Sequence, residues 1–228
     1  MPARKWLAAG ALLAAALSGC AIGPALRVSE AAPGTPRLLQ QVPFHPQEAY
    51  QCGPAALAMT DGLTSVLNRR GFTTQGSSLL AHAARHQLPV TALMLDVDHF
   101  KQINDTRGHE AGDRALQLFA RLLGDTCRSG DLIGRLGGEE FAVILSGEAA
   151  LQALSHAQTL CAAVEALQIP HPKSTIRPVV TASIGVALVM PHQSQRQDTE
   201  LMAWADEALY EAKTQGRNRA VQFKAARP

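Results

Sequence analysis

No stretch of this 228-residue sequence reaches the roughly 20 consecutive apolar residues that a membrane-spanning helix needs. Neither sign of charge dominates. With 21 Lys and Arg against 19 Asp and Glu, a net charge of +2, the composition offers no basic surface of the kind that draws a protein to nucleic acid. The four cysteines, Cys20, Cys52, Cys127 and Cys161, form no Cys-x-x-Cys pair and stand at no His/Cys spacing suited to zinc. That argues against a disulfide framework and a zinc site. No Gly-x-x-x-x-Gly-Lys-Ser/Thr occurs, so phosphate binding by a P-loop is excluded. What is present is a chain 46% hydrophobic and 18% charged, apolar enough to bury a core. At roughly 150 residues per domain its length corresponds to about one and a half domains.

The half lies at the start. Arg4 and Lys5 precede an apolar run from Trp6 to Leu17, followed by Leu17-Ser18-Gly19-Cys20, which has the form of a secretory signal. The tetrapeptide resembles the lipobox of bacterial lipoproteins, which implies residues 1–20 as a signal peptide and Cys20 as the lipidated residue. Residues 21–60 read as a linker, mostly disordered, Pro/Gly/Ala-rich as far as Gln41. Within it, Val42 to Met59 resembles the active-site start of papain-like, double-glycine cysteine peptidases, with Cys52 at the nucleophile position and Gln47 at that of the oxyanion-hole glutamine. Pro54 and the helix formers after it set Cys52 at a helix N-terminus, where the dipole favours thiolate. The later His and Asp of that pattern have no counterpart, and a thiolate without base or orienting carboxylate is not a peptidase site. The segment reads as truncated.

From Leu63 onward regular elements succeed one another. Helices are expected at Arg69 to His86, Glu110 to Gly124, Ala149 to Leu167 and Thr199 to Thr214, and strands at Val90 to Val97, Leu132 to Leu136, Phe141 to Leu145, Val179 to Val189 and Ala220 to Phe223. Gly137-Gly138 joins two of the strands as a hairpin. Helices alternating with strands, one pair of them a hairpin, predict an α/β (α+β) fold. Its mainly antiparallel central sheet would be covered by helices in a ferredoxin-like architecture.

Two acidic features stand out. Arg135-Leu136-Gly137-Gly138-Glu139-Glu140-Phe141 sets two carboxylates side by side at a tight turn, where folding requires the glycines but not the like charges. Asp96 and Asp98, at i and i+2, project to the same face of an extended chain, where oxygen ligands for a hard divalent cation belong.

Five motifs then agree in order and spacing: Asp61-x-Leu63-Thr64-x-x-x-Asn68-Arg69-Arg70-x-Phe72, Asp96-x-Asp98-x-Phe100-Lys101-x-Ile103-Asn104-Asp105, Gly108-His109-x-x-Gly112-Asp113, Gly137-Gly138-Glu139-Glu140-Phe141, and Ala205-Asp206 through Lys213 to Gly216-Arg217-Asn218. Over the 163 residues from Asp61 to Phe223 the chain resembles the GGDEF domain of diguanylate cyclases, in its GGEEF form, so that residues 61–228 form the cyclase domain and its fold is the nucleotide-cyclase palm. The resemblance implies that two such domains, each holding one GTP, face each other as a homodimer. They would release cyclic di-GMP and two pyrophosphates with Mg²⁺ or Mn²⁺ bound. It implies Asp96, Glu139 and the backbone carbonyl of Val97 as metal ligands. Glu140 would stand beside the metal, either completing its shell or assisting deprotonation of the attacking hydroxyl. Asn104 and Asp113 would read guanine, Lys213 and Arg217 would neutralise the GTP phosphates, and Arg128 and Asp131 form the Arg-x-x-Asp site at which product inhibits. Lys213 and Arg217 share a helical face if the last turn extends past Gly216.

Two other functions remain compatible with these residues: a catalytically silent receptor for cyclic di-GMP or GTP, and an exported cysteine peptidase resting on Cys52 alone. The leader and the substrate also conflict. Basic residues ahead of the apolar run direct the chain beyond it outward, yet GTP is cytoplasmic. The two are reconciled if export is inefficient or if a lipoprotein start has been fused to an unrelated cyclase body.

Overall fold

A computed structural model describes residues 59–190 and 197–224. The signal-like leader with Cys20 and the peptidase-like residues Gln47 and Cys52 lie outside the described residues. Among those described, no helix is long and apolar enough to cross a membrane.

Six strands form one mixed sheet. In chain order the elements are β1 (Leu67–Asn68), α1 (Arg69–Arg85), β2 (Val90–Val97), α2 (Phe100–Arg107), α3 (His109–Thr126), β3 (Leu132–Gly137), β4 (Glu140–Ser146), α4 (Glu148–Leu151), α5 (Ala153–Ala166), β5 (Ala182–Val189), α6 (Gln197–Thr214) and β6 (Ala220–Gln222). The sheet order is β1-β3-β4-β2-β5-β6. The three inner pairs are antiparallel, and each edge strand, β1 on β3 and β6 on β5, adds in parallel.

Strand β2 sits at the centre because its sequence, Val-Thr-Ala-Leu-Met-Leu-Asp-Val, offers almost no polar group that would need water. All eight of its residues are buried. Both faces of the sheet are covered, so the strand reads as a continuous apolar run. Leu93, Leu95 and Val97 point to one face and pack with Phe100 and Ile103 of α2, Leu116, Phe119 and Leu123 of α3, and Leu160 and Val164 of α5. Ala92 and Met94 point to the other, against Phe72 of α1 and Leu201, Ala205 and Leu209 of α6. The one polar core residue of the strand's first half, Thr91, donates to the Ala150 carbonyl (2.8 Å). At Gly185 of β5 a Cβ would strike the Ala205 carbonyl and the Leu209 amide, so the backbone of α6 lies directly on the sheet there. That close approach carries the C-terminal end of α6 toward the end of β2.

Several elements depart from the sequence expectation, each for a local reason. Phe100 to Arg107, not assigned as helix from the sequence, forms α2, which His99 starts in the left-handed region (φ 55°). The helix expected at Ala149 to Leu167 is broken at Gln152 (φ −100°, ψ 7°). The strand expected from Val179 starts at Ala182, since Val179 makes only an isolated bridge with Pro170. The hairpin link is Gly138-Glu139 and not Gly137-Gly138: Gly137 already pairs with Glu140, and only Gly138 takes a positive φ (42°). The last helix stops at Thr214, and Gly216, Arg217 and Asn218 all have positive φ (110°, 63° and 47°). Lys213 and Arg217 are therefore not neighbours on one helical face. Arg217 leaves the helix and turns back on it, its Nη1 3.5 Å from the Lys213 carbonyl.

Candidate active site

Register assembles the acidic end of the sheet. Asp96 pairs across with Glu140 of β4 on one side and Ser183 of β5 on the other, and the amide of Val97 donates to the carbonyl of Glu139 in the hairpin turn (3.4 Å). Asp96, Val97, Glu139 and Glu140 thus share one edge. Burial pushes the Asp96 carboxyl up to about 6, against the pull of Lys213; the Glu139 and Asp98 charges push the same way as burial. Lys213, in the last turn of α6, sets its Nζ 2.8 Å from Asp96 Oδ2. A buried acid repelled by a neighbouring carboxylate and held by one lysine is a site that favours added positive charge.

Asp98 has a different task. It lies just beyond β2, is 1% exposed, and accepts from Ser183 Oγ (2.7 Å), Thr181 Oγ1 (2.8 Å) and the Asn218 amide (3.1 Å). These bonds occupy both oxygens and tie the turn after α6 to β5. The i, i+2 spacing with Asp96 therefore brings no second ligand; it supplies the anchor of the loop that carries Arg217. Asn218 is held from its other side, Nδ2 donating to Glu165 Oε2 (2.8 Å). Thr181 and Ser183 sit in an apolar run, so their partnership with Asp98 left no sequence signal, whereas Asn218 belongs to the Gly-Arg-Asn triplet.

The hairpin turn is itself clamped. Arg135 donates from Nε (2.9 Å) and Nη2 (2.7 Å) to the Gly138 carbonyl, and from Nη1 to Asp61 Oδ1 (3.0 Å). Asp61 Oδ1 also accepts from the Thr64 amide (2.9 Å) and hydroxyl (2.6 Å). Although burial raises the Asp61 carboxyl, the hydrogen bonds from Thr64 and Arg135 outweigh it and hold the acid below its ordinary value. The position of Glu139 thus depends, through one guanidinium, on an aspartate 74 positions before that arginine in the chain.

On the other flank, Asn104 of α2 lies against Gly112 of α3. Asn104 Oδ1 is buried with no hydrogen-bond partner, and a Cβ on Gly112 would collide with it. Only glycine at 112 leaves that acceptor room. The oxygen suits an incoming N–H donor, and Asp113, next in sequence to Gly112, is exposed.

Farther off, in the turn between α3 and β3, the Asp131 amide donates to the Arg128 carbonyl (3.0 Å) and the Arg128 amide to Asp131 Oδ2 (2.8 Å). Burial raises the Asp131 carboxyl; the Arg128 amide and the charges of Arg128 and His156 oppose it. Neither described cysteine belongs to a site: burial pushes the thiols of Cys127 and Cys161 up to about 12, so both stay protonated.

Among the described residues no group of three or more His, Cys, Asp or Glu gathers to hold a metal. At the acidic end the Asp96 and Glu139 carboxylates lie close enough to interact electrostatically, a sparser set of oxygens than a dedicated all-protein metal cage has. A helix-covered mixed sheet with Asp96, Glu139 and Lys213 gathered at one end and a buried amide acceptor at Asn104 defines an α/β domain of the nucleotide-cyclase kind. Residues 58–219 match the profile of the family described as diguanylate cyclase, GGDEF domain, and the chain belongs to that family.

Among relatives, the probable diguanylate cyclase DgcC of Escherichia coli K12 is 42% identical over 164 residues, 72% of this chain and 43% of the relative. The response regulator PleD of Caulobacter vibrioides is 42% identical over 172 residues, 75% of this chain and 37% of the relative. The chain spans less than half the length of these curated relatives. Among solved structures, the GGDEF domain of DgcB from Caulobacter crescentus in complex with c-di-GMP superposes with a TM-score of 0.66 at 34% identity, covering 74% of this chain and 94% of that domain. The active GGEEF domain of a Vibrio cholerae diguanylate cyclase gives 0.60 at 29% identity, covering 70% and 98%.

Proposed function

We propose that this protein is a diguanylate cyclase, joining two GTP molecules into cyclic di-GMP with release of two pyrophosphates. In each half-reaction the 3′-oxygen of one nucleotide bonds to the α-phosphorus of the other, the bond from that phosphorus to the bridging oxygen breaks, and the hydroxyl proton is lost. Pyrophosphate carries away the electron pair. Two domains of a homodimer face each other with one GTP apiece.

The observation that carries this reading is the meeting of Asp96, Glu139 and Lys213 at the end of β2, with Lys213 2.8 Å from Asp96. Asp96, Glu139 and the Val97 carbonyl would hold a divalent cation, Mg²⁺ or Mn²⁺. When bound, such an ion neutralises charge developing on the α-phosphate and orients it. Glu140 stands beside this set and either completes it or receives the 3′-hydroxyl proton. The unpartnered Oδ1 of Asn104 and the carboxylate of Asp113 accept from the N1–H and N2–H of guanine, a pattern adenine cannot offer. Lys213 exchanges its hold on Asp96 for the phosphates, joined by Arg217 from the turn after α6. Arg128 and Asp131 bind the finished product and slow the enzyme.

Purified protein incubated with GTP and Mg²⁺ is expected to form cyclic di-GMP, assayed by chromatography, and Glu139→Gln to form it at about one hundredth of that rate or less. Full activity in that variant would overturn the metal assignment. Cyclic di-GMP binding without turnover of GTP would favour the receptor function instead.

A further inference from the structure

Helix α1 ends on two histidines. His82 lies in its last turn and His86 is its C-terminal cap, four positions on. Side chains at i and i+4 are neighbours on a helix surface, and here the two rings meet, their centroids 4.3 Å apart and their planes inclined at 40°. Both residues are exposed, so ions in solution reach them. The backbone beneath them is fixed. The His86 amide donates to the His82 carbonyl (3.1 Å), the Gln87 amide to the Ala84 carbonyl (3.3 Å) and the Leu88 amide to the Ala83 carbonyl (2.9 Å). Neither ring serves the core or the residues gathered at the end of β2.

We propose that His82 and His86 form a chelating site for a divalent transition metal of the Ni²⁺, Cu²⁺ or Zn²⁺ kind, remote from the acidic end of the sheet. His-x-x-x-His is the spacing at which two histidines on one helix face grip a zinc ion in metalloproteases. An ion at about 2.0–2.1 Å from one nitrogen of each ring needs those nitrogens about 3 Å apart. Rings whose centroids already stand at 4.3 Å reach that by small side-chain rotations, with no movement of the backbone. The donors also select the ion. Helix α1 contains no Asp or Glu, so it offers no carboxylate to Mg²⁺ or Ca²⁺, whereas imidazole suits Ni, Cu and Zn. The partial negative charge at a helix C-terminus favours a cation as well. Arg85 opposes it, but that residue is exposed and solvent screens the repulsion. Water fills the remaining coordination positions. His86 precedes the start of β2 at Val90 by four positions, and Asp96 lies about 20 Å farther along that strand. Two ends of one strand thus take two kinds of ion.

Titration calorimetry of Ni²⁺ into the purified protein, with Mg²⁺ in excess, tests this. The wild-type protein is expected to bind one Ni²⁺ per chain ahead of any weaker uptake. Both His82→Ala and His86→Ala are expected to weaken that binding at least as much as loss of a group hydrogen-bonded to a ligand does, about 10–100-fold. Glu139→Gln, altered at the other end of β2, is expected to bind Ni²⁺ as the wild type does. Ni²⁺ is also expected to raise the melting temperature of the wild-type protein and to leave that of the histidine variants unchanged, since an ion held only by the folded helix end stabilises it. Wild-type affinity in either histidine variant, or no binding by the wild-type protein, would overturn the site. Displacement of Ni²⁺ by Mg²⁺, or its loss in Glu139→Gln, would overturn it too, by putting the ion at the acidic end instead. Melts without metal establish that each variant is folded, and substitutions at these exposed positions are expected to shift them little.

Discussion

At the end of β2 Asp96 and Asp98 already have partners before any ligand arrives, whereas at the turn between α3 and β3 the Arg128 guanidinium is exposed. Asp96 has Lys213 at 2.8 Å, Asp98 takes three donors, and Arg135 holds the hairpin turn to Asp61. Around Arg128 the backbone and the Asp131 carboxylate are fixed, while the guanidinium is exposed. The difference comes from position. Buried charge must be compensated within the fold or the fold is lost, but charge on an exposed turn is solvated at little cost and can wait for its ligand. One region therefore couples chemistry to stability, and the other keeps them apart.

Substitutions can break or sharpen that contrast. The largest effect is expected at Glu139, where Glu139→Gln should lower cyclic di-GMP formation by about a hundredfold or more while leaving the melting temperature nearly unchanged, because the residue sits in a turn and makes no core contact. Next comes Asp98→Ala. It removes the shared acceptor of Thr181, Ser183 and the Asn218 amide, at about 1–3 kcal/mol for each buried donor left unpaired, to be read from denaturant unfolding. Preserved stability in that variant would sink the idea that this end of the sheet is held by its own polar pairs.

A smaller, pH-dependent effect is expected at Asp61. Its acid is held below the ordinary value, so its contribution to stability is complete above the unfolded-state value of about 4 and is lost as pH falls through the lower, folded-state one. The stability gap between the wild-type protein and Asp61→Asn should therefore be constant at neutral pH and close in acid. Smallest of all, Arg128→Ala should change stability by no more than about 0.5 kcal/mol, which would confirm that the second region carries charge without carrying the fold.

Much of this molecule was legible in one dimension, for a definite reason. Strand β2 announces itself because a strand covered on both faces has no polar residue to lose, and α3 because its buried positions, Ala115, Phe119 and Leu123 among them, recur at helical spacing. The acidic turn was legible because two adjacent carboxylates beside two glycines serve no folding purpose. Helix α2 was missed since its start depends on a non-glycine residue, His99, in the left-handed region, a choice that surrounding contacts impose. The reading of Lys213 and Arg217 as helical neighbours failed because Gly216 ended the helix it was assumed to continue.

By itself, then, the sequence determined the alternation of elements and the composition of the core, which arise from local pattern, while the residues proposed to bind metal, base and phosphate follow from the resemblance to the family. Only the tertiary structure decided which of two nearby aspartates faces the cleft and which is spent on Thr181, Ser183 and Asn218. It alone tied Arg135 to both Gly138 and Asp61. These are contacts between residues far apart in the chain, set by strand register and helix packing, and no local periodicity encodes them.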